Sequence, residues 1–262
     1  MSNGKLINVV LQGALGRMGC EILATLCKQD ELNPLAAIDL TAESELLSLP
    51  NGQSIPLFTK IDDVPETTDV LVDVTNAIGA QKAISNLAPK GINIVIGSSG
   101  IPESTYMEAK YLSKKHNVGI VIVPNFALGG VLMTHVARII SKYYDYADLT
   151  ETHHEKKIDA PSGTAIAIAK AISEGKGKNM NSATTENETI AHTRGGQYGG
   201  VNIHSVRLPG RVAHHELVFA GPGETLTIRH DSIDRSGFMP GVVSAIHTAV
   251  NTPGLTVGLE QI

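Results

Sequence analysis

The sequence predicts an α/β protein: a doubly wound parallel sheet, followed by a second α+β domain that contains a mainly antiparallel sheet. Three observations carry this. Runs such as Val70-Leu71-Val72 and residues 92–96 are apolar throughout, the habit of strands covered on both faces. Such runs alternate with helix-like segments over the first half of the chain, which gives right-handed crossovers. Beyond residue 142 the strands lengthen, alternate polar with apolar, and are punctuated by Pro-Gly turns.

In order, residues 6–12 form a β-branched strand that stops at Gly13, and residues 17–29 a helix opening from the glycine-rich turn. Strands follow at 34–39 and 69–75, a helix at 79–88, and a fully apolar strand at 92–96. A helix at 103–116, a strand at 118–123 and a helix at 128–142 complete the alternation. The alternating strands are 146–154, 201–208, 212–220 and 224–230, with Pro209-Gly210 and Gly221-Pro222-Gly223 as hairpin turns. A polar insert at 175–188 has no apolar period and is expected to be a mobile loop. A last helix at 241–250 returns to the first domain. The expected division is therefore 1–125 with 235–262 as one domain and 126–234 as the other. No internal repeat is found.

With 262 residues, the chain is long enough for two modest domains. A net charge of -5 lacks the basic surplus needed to release phosphate counterions, and 4 Phe, 6 Tyr and no Trp make a poor base-stacking platform. Nucleic acid is not an expected partner. Cys20 and Cys27, on one expected helix, lie about 10 Å apart along its axis and cannot bridge each other. Two thiols suit a reducing compartment, residues 1–8 show no apolar leader, and the uncharged stretch 117–137 is interrupted by Pro124, Asn125, Gly129 and Gly130. A cytoplasmic protein with no membrane partner is expected.

Gly13-Ala14-Leu15-Gly16-Arg17-Met18-Gly19 joins the first strand to the first helix. Such a loop lets backbone approach a pyrophosphate at a helix N-terminus. The spacing is G-x-x-G-x-x-G, with Leu15 at the usual middle glycine. Asp39, about 20 residues on, ends the second strand where an acid can accept from ribose hydroxyls. Dinucleotide binding on a Rossmann-like domain is the expectation. Gly97-Ser98-Ser99-Gly100 ends a later strand on the same sheet edge, and Val123-Pro124-Asn125-Phe126 leads into the second domain where a nicotinamide would reach. Alone, each segment reads equally as loop closure or hinge; together with the first loop they trace a cofactor-sized path.

The densest chemistry lies between Glu151 and Ala165. His153 and His154, adjacent on an extended segment, point to opposite faces. Ser162 can cap the following helix, so that Gly163 and Thr164 present backbone N–H groups, with the Thr hydroxyl, to an anion such as a carboxylate. Lys157 would supply countercharge. The competing reading is a solvated charged strand. No metal is expected: Ile158 stands where a helical zinc motif needs its second His after His154, and no Cys lies near either His pair.

The run His-His-x-x-Lys-x-Asp-Ala-Pro-Ser-Gly-Thr resembles the signature of the 4-hydroxy-tetrahydrodipicolinate reductase (dihydrodipicolinate reductase) family. Gly13 to Gly19, Gly97 to Gly100 and Pro124-Asn125-Phe126 look like its cofactor segments in the same order. The resemblance implies NADH- or NADPH-dependent reduction of a cyclic dicarboxylate in diaminopimelate and lysine biosynthesis. It implies His153 as acid/base residue, Lys157 as proton donor, His154 as a substrate contact and Gly163-Thr164 as a carboxylate clamp. It further implies a homotetramer formed through the sheet of the second domain, which then serves substrate binding and oligomerisation. Some relatives carry Arg directly after the acid of the second strand; here Leu40 stands there, which weakens a dedicated site for the 2′-phosphate of NADPH. A different two-domain dehydrogenase, for an amino acid or a sugar, and a dinucleotide sensor without turnover are the alternative readings.

Overall fold

The structure, a computed structural model, describes residues 6–259. In chain order it contains β1 (Ile7–Gln12), α1 (Arg17–Leu26), β2 (Leu32–Ile38), β3 (Leu46–Ser48), β4 (Ser54–Phe58), β5 (Val70–Asp73), α2 (Ala77–Leu87), β6 (Asn93–Ile96), α3 (Glu103–His116) and β7 (Gly119–Ile122). There follow α4 (Leu128–Ile140), β8 (Tyr146–His153), α5 (Gly163–Lys176), β9 (Gly196–Tyr198), β10 (Val201–Arg207), β11 (Ala213–Gly221) and β12 (Glu224–Ser232). The chain ends with α6 (Met239–Asn251) and β13 (Gly254–Val257). Two compact units result, one running up to Phe126 and resuming at Phe238, the other spanning Ala127–Gly237. Phe126 thus falls in the first unit and residues 235–237 in the second.

In the first unit eight strands lie in the order β13-β7-β6-β5-β1-β2-β4-β3, all parallel except the β3–β4 pair. The chain winds from β1 toward β2, then resumes at β5 on the other flank of β1. That reversal opens a crevice at the carboxyl ends of β1 and β5, the place where open α/β sheets bind ligands. Val10, Leu71, Ile94, Ile96, Ile120 and Ile122 are fully buried in a core with Ala80, Ala83, Ile84 and Leu87 of α2. The doubly wound parallel sheet is as expected. The sequence reading omits β3, β4 and β13, which are short or carry a Pro within the run, as Pro56 does in β4. Pro34 also marks a register shift in the β1–β2 pair, where Val9 faces Pro34 but Val10 faces Ala36.

The second unit holds five strands in the order β12-β11-β8-β10-β9. Three pairings are antiparallel, as expected; β8–β10 is parallel. The exception follows from α5, which carries the chain across the sheet so that β10 re-enters in the direction of β8. Pro209-Gly210 is consequently not a hairpin turn, because β8 lies between β10 and β11. Gly221-Pro222-Gly223 does close a hairpin, with Gly221 opposite Glu224. The helix α5 runs through Lys176, so the first residues of the polar insert are helical, and Asn181 further along bridges to Tyr146.

Along β8 burial alternates strictly: Ala147, Leu149, Glu151 and His153 all face inward. The first two join Met133, Ala137, Ile168, Ile172, Leu217 and Phe219 in the unit's core. The same face then turns polar at the carboxyl end of the strand.

Close packing between α1 and the turn before it requires a glycine at position 19. A Cβ there would sit 2.2 Å from the Gly13 carbonyl oxygen and 2.7 Å from the Ala14 Cα, both backbone atoms that cannot swing aside. Gly19→Ala is expected to lower the unfolding free energy by about 1–3 kcal/mol, the usual range for overpacking. Urea denaturation checks this: an unchanged midpoint would mean that the loop yields freely.

Candidate active site

The glycine loop leaves β1 as expected. Gly13 N–H donates to the Ile38 carbonyl (2.8 Å), Ala14 is buried, Leu15 and Gly16 are exposed, and Gly16 caps α1 with extended backbone. Arg17 and Met18 begin the helix, whose first turn contains no acidic residue. A helix start with no acid and a cation at its first position suits the diphosphate of a dinucleotide.

Asp39 lies just beyond β2 and faces this loop. It accepts the Leu15 N–H (3.0 Å), the Thr41 N–H (3.0 Å) and the Thr41 hydroxyl (2.8 Å). Partial burial acts to raise its pKa, but these three donors outweigh it and hold the carboxyl below the ordinary value. Asp39 therefore both shapes the loop and keeps a negative charge beside it.

The later segments converge on a residue that sequence reasoning missed. Asp73, at the end of β5, is fully buried; its carboxylate accepts the Thr75 hydroxyl (2.6 Å) and the Ser98 hydroxyl (2.7 Å), and its carbonyl accepts the Gly97 N–H (2.8 Å). Burial pushes its pKa up, and the two hydroxyls only partly offset this. The Ser98 side chain is thus committed inward, while Ser99 is exposed. Gly97 is pressed against Phe126, whose ring atom would lie 2.3 Å from a Cβ at that position. Val123 is tied to β6 through Ile96 (2.8 Å), Pro124 is exposed and Asn125 half-buried. The first unit's candidate residues accordingly gather at the carboxyl ends of β1, β2, β5, β6 and β7.

In the second unit the polar end of β8 forms a closed charge cluster. Glu151 is 0% exposed. Its Oε2 accepts His153 Nδ1 at 2.5 Å and Arg207 at 2.9 Å, and its Oε1 accepts Arg207 at 2.9 Å and the Ser162 N–H at 3.1 Å. Strand register brings these groups together: Arg207 pairs with His153 across β10–β8, and His215 pairs with Glu151 across β11–β8. Burial alone would raise the Glu151 pKa, but hydrogen bonds from His153 and Arg207 dominate and hold it at about 2.

Ser162 links this cluster to α5. Its hydroxyl accepts the Ala165 N–H (3.2 Å), as expected of a cap, and lies 3.3 Å from His215 Nε2. His215 stacks edge-on against His153, with ring centroids 5.5 Å apart. Burial, followed by the proximity of His153, pushes the His215 pKa down to about 4, so this ring is neutral near pH 7. Gly163 and Thr164 form the first turn of α5, which has no acidic residue. Lys157 is held by Asp159 at 2.7 Å, and His154, half-buried, accepts the Lys157 N–H through its carbonyl (3.1 Å).

Sequence reasoning named His153, Lys157 and the α5 start but gave Glu151, Arg207 and His215 no role. Glu151 stands two residues before the His-His pair, and its inward parity with His153 was available from the alternation. Arg207, 56 residues distant, becomes visible only once β10 pairs with β8. Among the described residues, no group of three His, Cys, Asp or Glu side chains is placed to hold a metal ion.

A parallel sheet with an acid-free helix start at its switch point, and a separate α+β unit bearing a buried Glu–His–Arg cluster beside a second such start, are the features of a two-unit dinucleotide-dependent oxidoreductase. Residues 7–126 match the family described as Dihydrodipicolinate reductase, N-terminus, and residues 129–262 match Dihydrodipicolinate reductase, C-terminus. The 4-hydroxy-tetrahydrodipicolinate reductase of Dehalococcoides mccartyi (strain CBDB1) is 42% identical over 259 residues, covering 98% of each chain. That of Lysinibacillus sphaericus (strain C3-41) is 37% identical over 262 residues, covering 98% of this chain and 99% of the relative. The solved dipicolinate-bound dihydrodipicolinate reductase from Paenisporosarcina sp. TG-14 matches with a TM-score of 0.86 at 33% identity, covering 98% of this chain and 99% of that one. The chain belongs to the dihydrodipicolinate reductase family.

The cluster makes stability depend on pH. His215 has a lowered pKa in the fold, so the unfolded chain takes up its proton first; stability present above pH 6.5 is lost as pH falls toward 4, about 3 kcal/mol in all. Glu151, also lowered, adds a loss between 4.5 and about 2, whereas Asp73, raised, opposes it. Denaturant titrations from pH 7 to 4 should show a shallower decline for His215→Gln than for wild type. Equal slopes would exclude a buried neutral His215.

Proposed function

We propose that this protein catalyses NAD(P)H-dependent reduction of 4-hydroxy-tetrahydrodipicolinate, via dihydrodipicolinate, to tetrahydrodipicolinate in diaminopimelate and lysine biosynthesis. The observation that carries the proposal is the His153–Glu151–Arg207 cluster, joined through Ser162 to the acid-free start of α5, with Lys157 on the segment between them. A dicarboxylate needs fixed positive potential and a proton source, and this stretch offers both.

In this reading the unit that runs up to Phe126 and resumes at Phe238 serves the dinucleotide, while Ala127–Gly237 serves substrate binding and oligomerisation. The dinucleotide, held by Gly13 to Met18, Asp39, Gly97 to Ser99 and Val123 to Phe126, supplies the hydride when bound. His153 acts as acid/base group, and Lys157 leaves Asp159 to attract a substrate carboxylate and deliver a proton. His154 contacts substrate, and Gly163 with Thr164 clamps a carboxylate with backbone N–H groups. The enzyme works as a cytoplasmic homotetramer built through the second unit's sheet. Support for the assembly comes from β12, whose residues Glu224 to Thr227 are all exposed within one chain.

The decisive assay follows nicotinamide absorbance with purified enzyme. Oxidation is expected only when the enzymatically generated cyclic dicarboxylate is added; oxidation without it, or none with it, removes the proposal. His153→Ala should lower kcat about 10²- to 10⁴-fold, the range for losing a general acid/base. Lys157→Met should raise KM as well as lower kcat, and NADH affinity should stay near wild type in both. Near-wild-type turnover in both variants would return these residues to a solvated strand.

NADH is expected to serve at least as well as NADPH. Asp39 carries charge where a 2′-phosphate would lie, and Leu40, 86% exposed, provides no cation. Paired kcat/KM measurements test this, and a preference for NADPH beyond about tenfold, roughly 1.4 kcal/mol, would overturn the argument from Asp39 and Leu40.

A further inference from the structure

We infer that Glu151 is a positioning residue for His153, one that fixes the ring as its Nδ1–H tautomer so that Nε2 alone takes up and gives back the catalytic proton. The inference rests on the proposed acid/base role of His153 and concerns what makes that role possible.

An ionised carboxylate only accepts, and its two oxygens offer about four lone-pair sites. Around Glu151 donors crowd both oxygens: Arg207 reaches both, the Ser162 N–H reaches Oε1, His153 Nδ1 reaches Oε2, and the Ser205 hydroxyl, directly opposite across the β8–β10 pair, also donates to the carboxylate. Arg207 is a donor at any working pH and the Ser162 amide can only donate. Two charge-assisted bonds from a guanidinium fork and one from a backbone amide therefore keep Glu151 ionised even though it is 0% exposed. His153 Nδ1, 2.5 Å away from a carboxylate that can only accept, must then also donate, and the proton of the neutral His153 ring resides on Nδ1.

This assignment leaves one ring nitrogen for chemistry. In the imidazolium, Nε2–H can pass its proton to the reduced substrate; the ring returns to neutral with Nδ1–H still bound to Glu151, and Nε2 is reprotonated from water. Glu151 does not change protonation state, and no further reactant is consumed. The surroundings sharpen the device. His215 lies edge-on to His153 and is itself anchored at Ser162 Oγ, so the ring is flanked on a second side. Arg207 is fixed in turn by the carbonyls of Val206 (2.8 Å) and Asp159 (2.7 Å). Ser162 gives its N–H to Glu151 while its hydroxyl caps α5, so the same residue holds the acid/base group and the start of the expected carboxylate clamp.

Nitrogen-15 NMR of histidine-labelled enzyme tests this, with His153 assigned by comparison with His153→Gln. Wild type is expected to show His153 protonated at Nδ1 when neutral. In Glu151→Gln the amide offers one acceptor oxygen where donors from four residues converge, so the tautomer should reverse or become mixed. Its kcat should fall about 10- to 10³-fold, since a misplaced imidazole proton disables acid/base transfer. KM for the dicarboxylate should stay within about threefold and NADH affinity should be unchanged, and Glu151→Asp, which keeps the charge, should recover part of kcat. An Nε2–H tautomer in wild type overturns the inference. So does wild-type kcat in Glu151→Gln, or a parallel loss of kcat, substrate affinity and NADH affinity, which a merely structural ion pair would give. Should Glu151→Gln not fold, the wild-type spectrum and the kinetics of Glu151→Asp decide, with an unaltered kcat in the latter counting against. Full turnover in His153→Gln would instead sink the acid/base reading itself, whereas an inactive His153→Gln beside a fully active Glu151→Gln would sink only the role of Glu151.

Discussion

A carboxylate removed entirely from water must either take a proton or gather donors, and Glu151 gathers them from His153, Arg207, Ser162 and Ser205. That requirement explains much of the second unit's architecture. The donors come from β8 itself, from β10 and from the cap of α5, so satisfying one side chain pins three elements at one end of the sheet. The arrangement depends on β10 running parallel to β8. In that register Arg207 stands beside His153, and an antiparallel neighbour would need a different residue to bring a guanidinium to the same place. Removing one partner of such a cluster leaves a buried charge uncompensated, which costs far more than the pair contributes when whole.

The first unit meets the same requirement with a weaker donor set. Asp73 is equally buried, but its side-chain partners are two hydroxyls in place of a guanidinium and an imidazole. The outcome differs in sign: Asp73 has its pKa raised, since its hydroxyl donors offset desolvation only in part there, and Glu151 has it lowered, since the His153 and Arg207 hydrogen bonds exceed it. Asp73 nevertheless performs comparable mechanical work. It fastens the segment after β6 to the end of β5, beside the crevice opened by the reversal of strand order.

Much of this was legible in the sequence, and the parts that were not share a cause. Apolar runs such as 92–96 identified parallel strands because burial on both faces leaves no room for polar residues. The helix Glu103–His116 was placed to the residue, with Pro102 before it and Asn117 in left-handed conformation after it. Cap chemistry likewise identified Ser162, since the cap and its helix are neighbours in the chain. By contrast, the pairing of β8 with β10, the failure of Pro209-Gly210 to close a hairpin, and the partnership of Arg207 with Glu151 all depend on which strands become neighbours after a long crossover. Local pattern carries no record of that choice. His215 shows the same limit: as one of an adjacent pair it invited a metal reading, and only its register opposite Glu151 reveals a buried neutral ring.

The two units also share the local features of the anion sites proposed for them. Each presents a helix start without an acidic residue in its first turn, α1 behind a glycine cap and α5 behind a serine cap. Each provides a cation within reach in sequence, Arg17 or Lys157, and each anchors the approach to that helix with a carboxylate that accepts backbone N–H groups, Asp39 from Leu15 or Glu151 from Ser162. A negative side chain near an anion site looks contradictory until its hydrogen bonds are counted. Both carboxylates spend lone pairs on the backbone that shapes the site, and their own charge is met by those donors. Their role in geometry is therefore separable from their role in electrostatics: Asp39, on the surface side of its loop, retains charge that disfavours an added phosphate, while Glu151, enclosed by a guanidinium, leaves Lys157 and the start of α5 to set the potential.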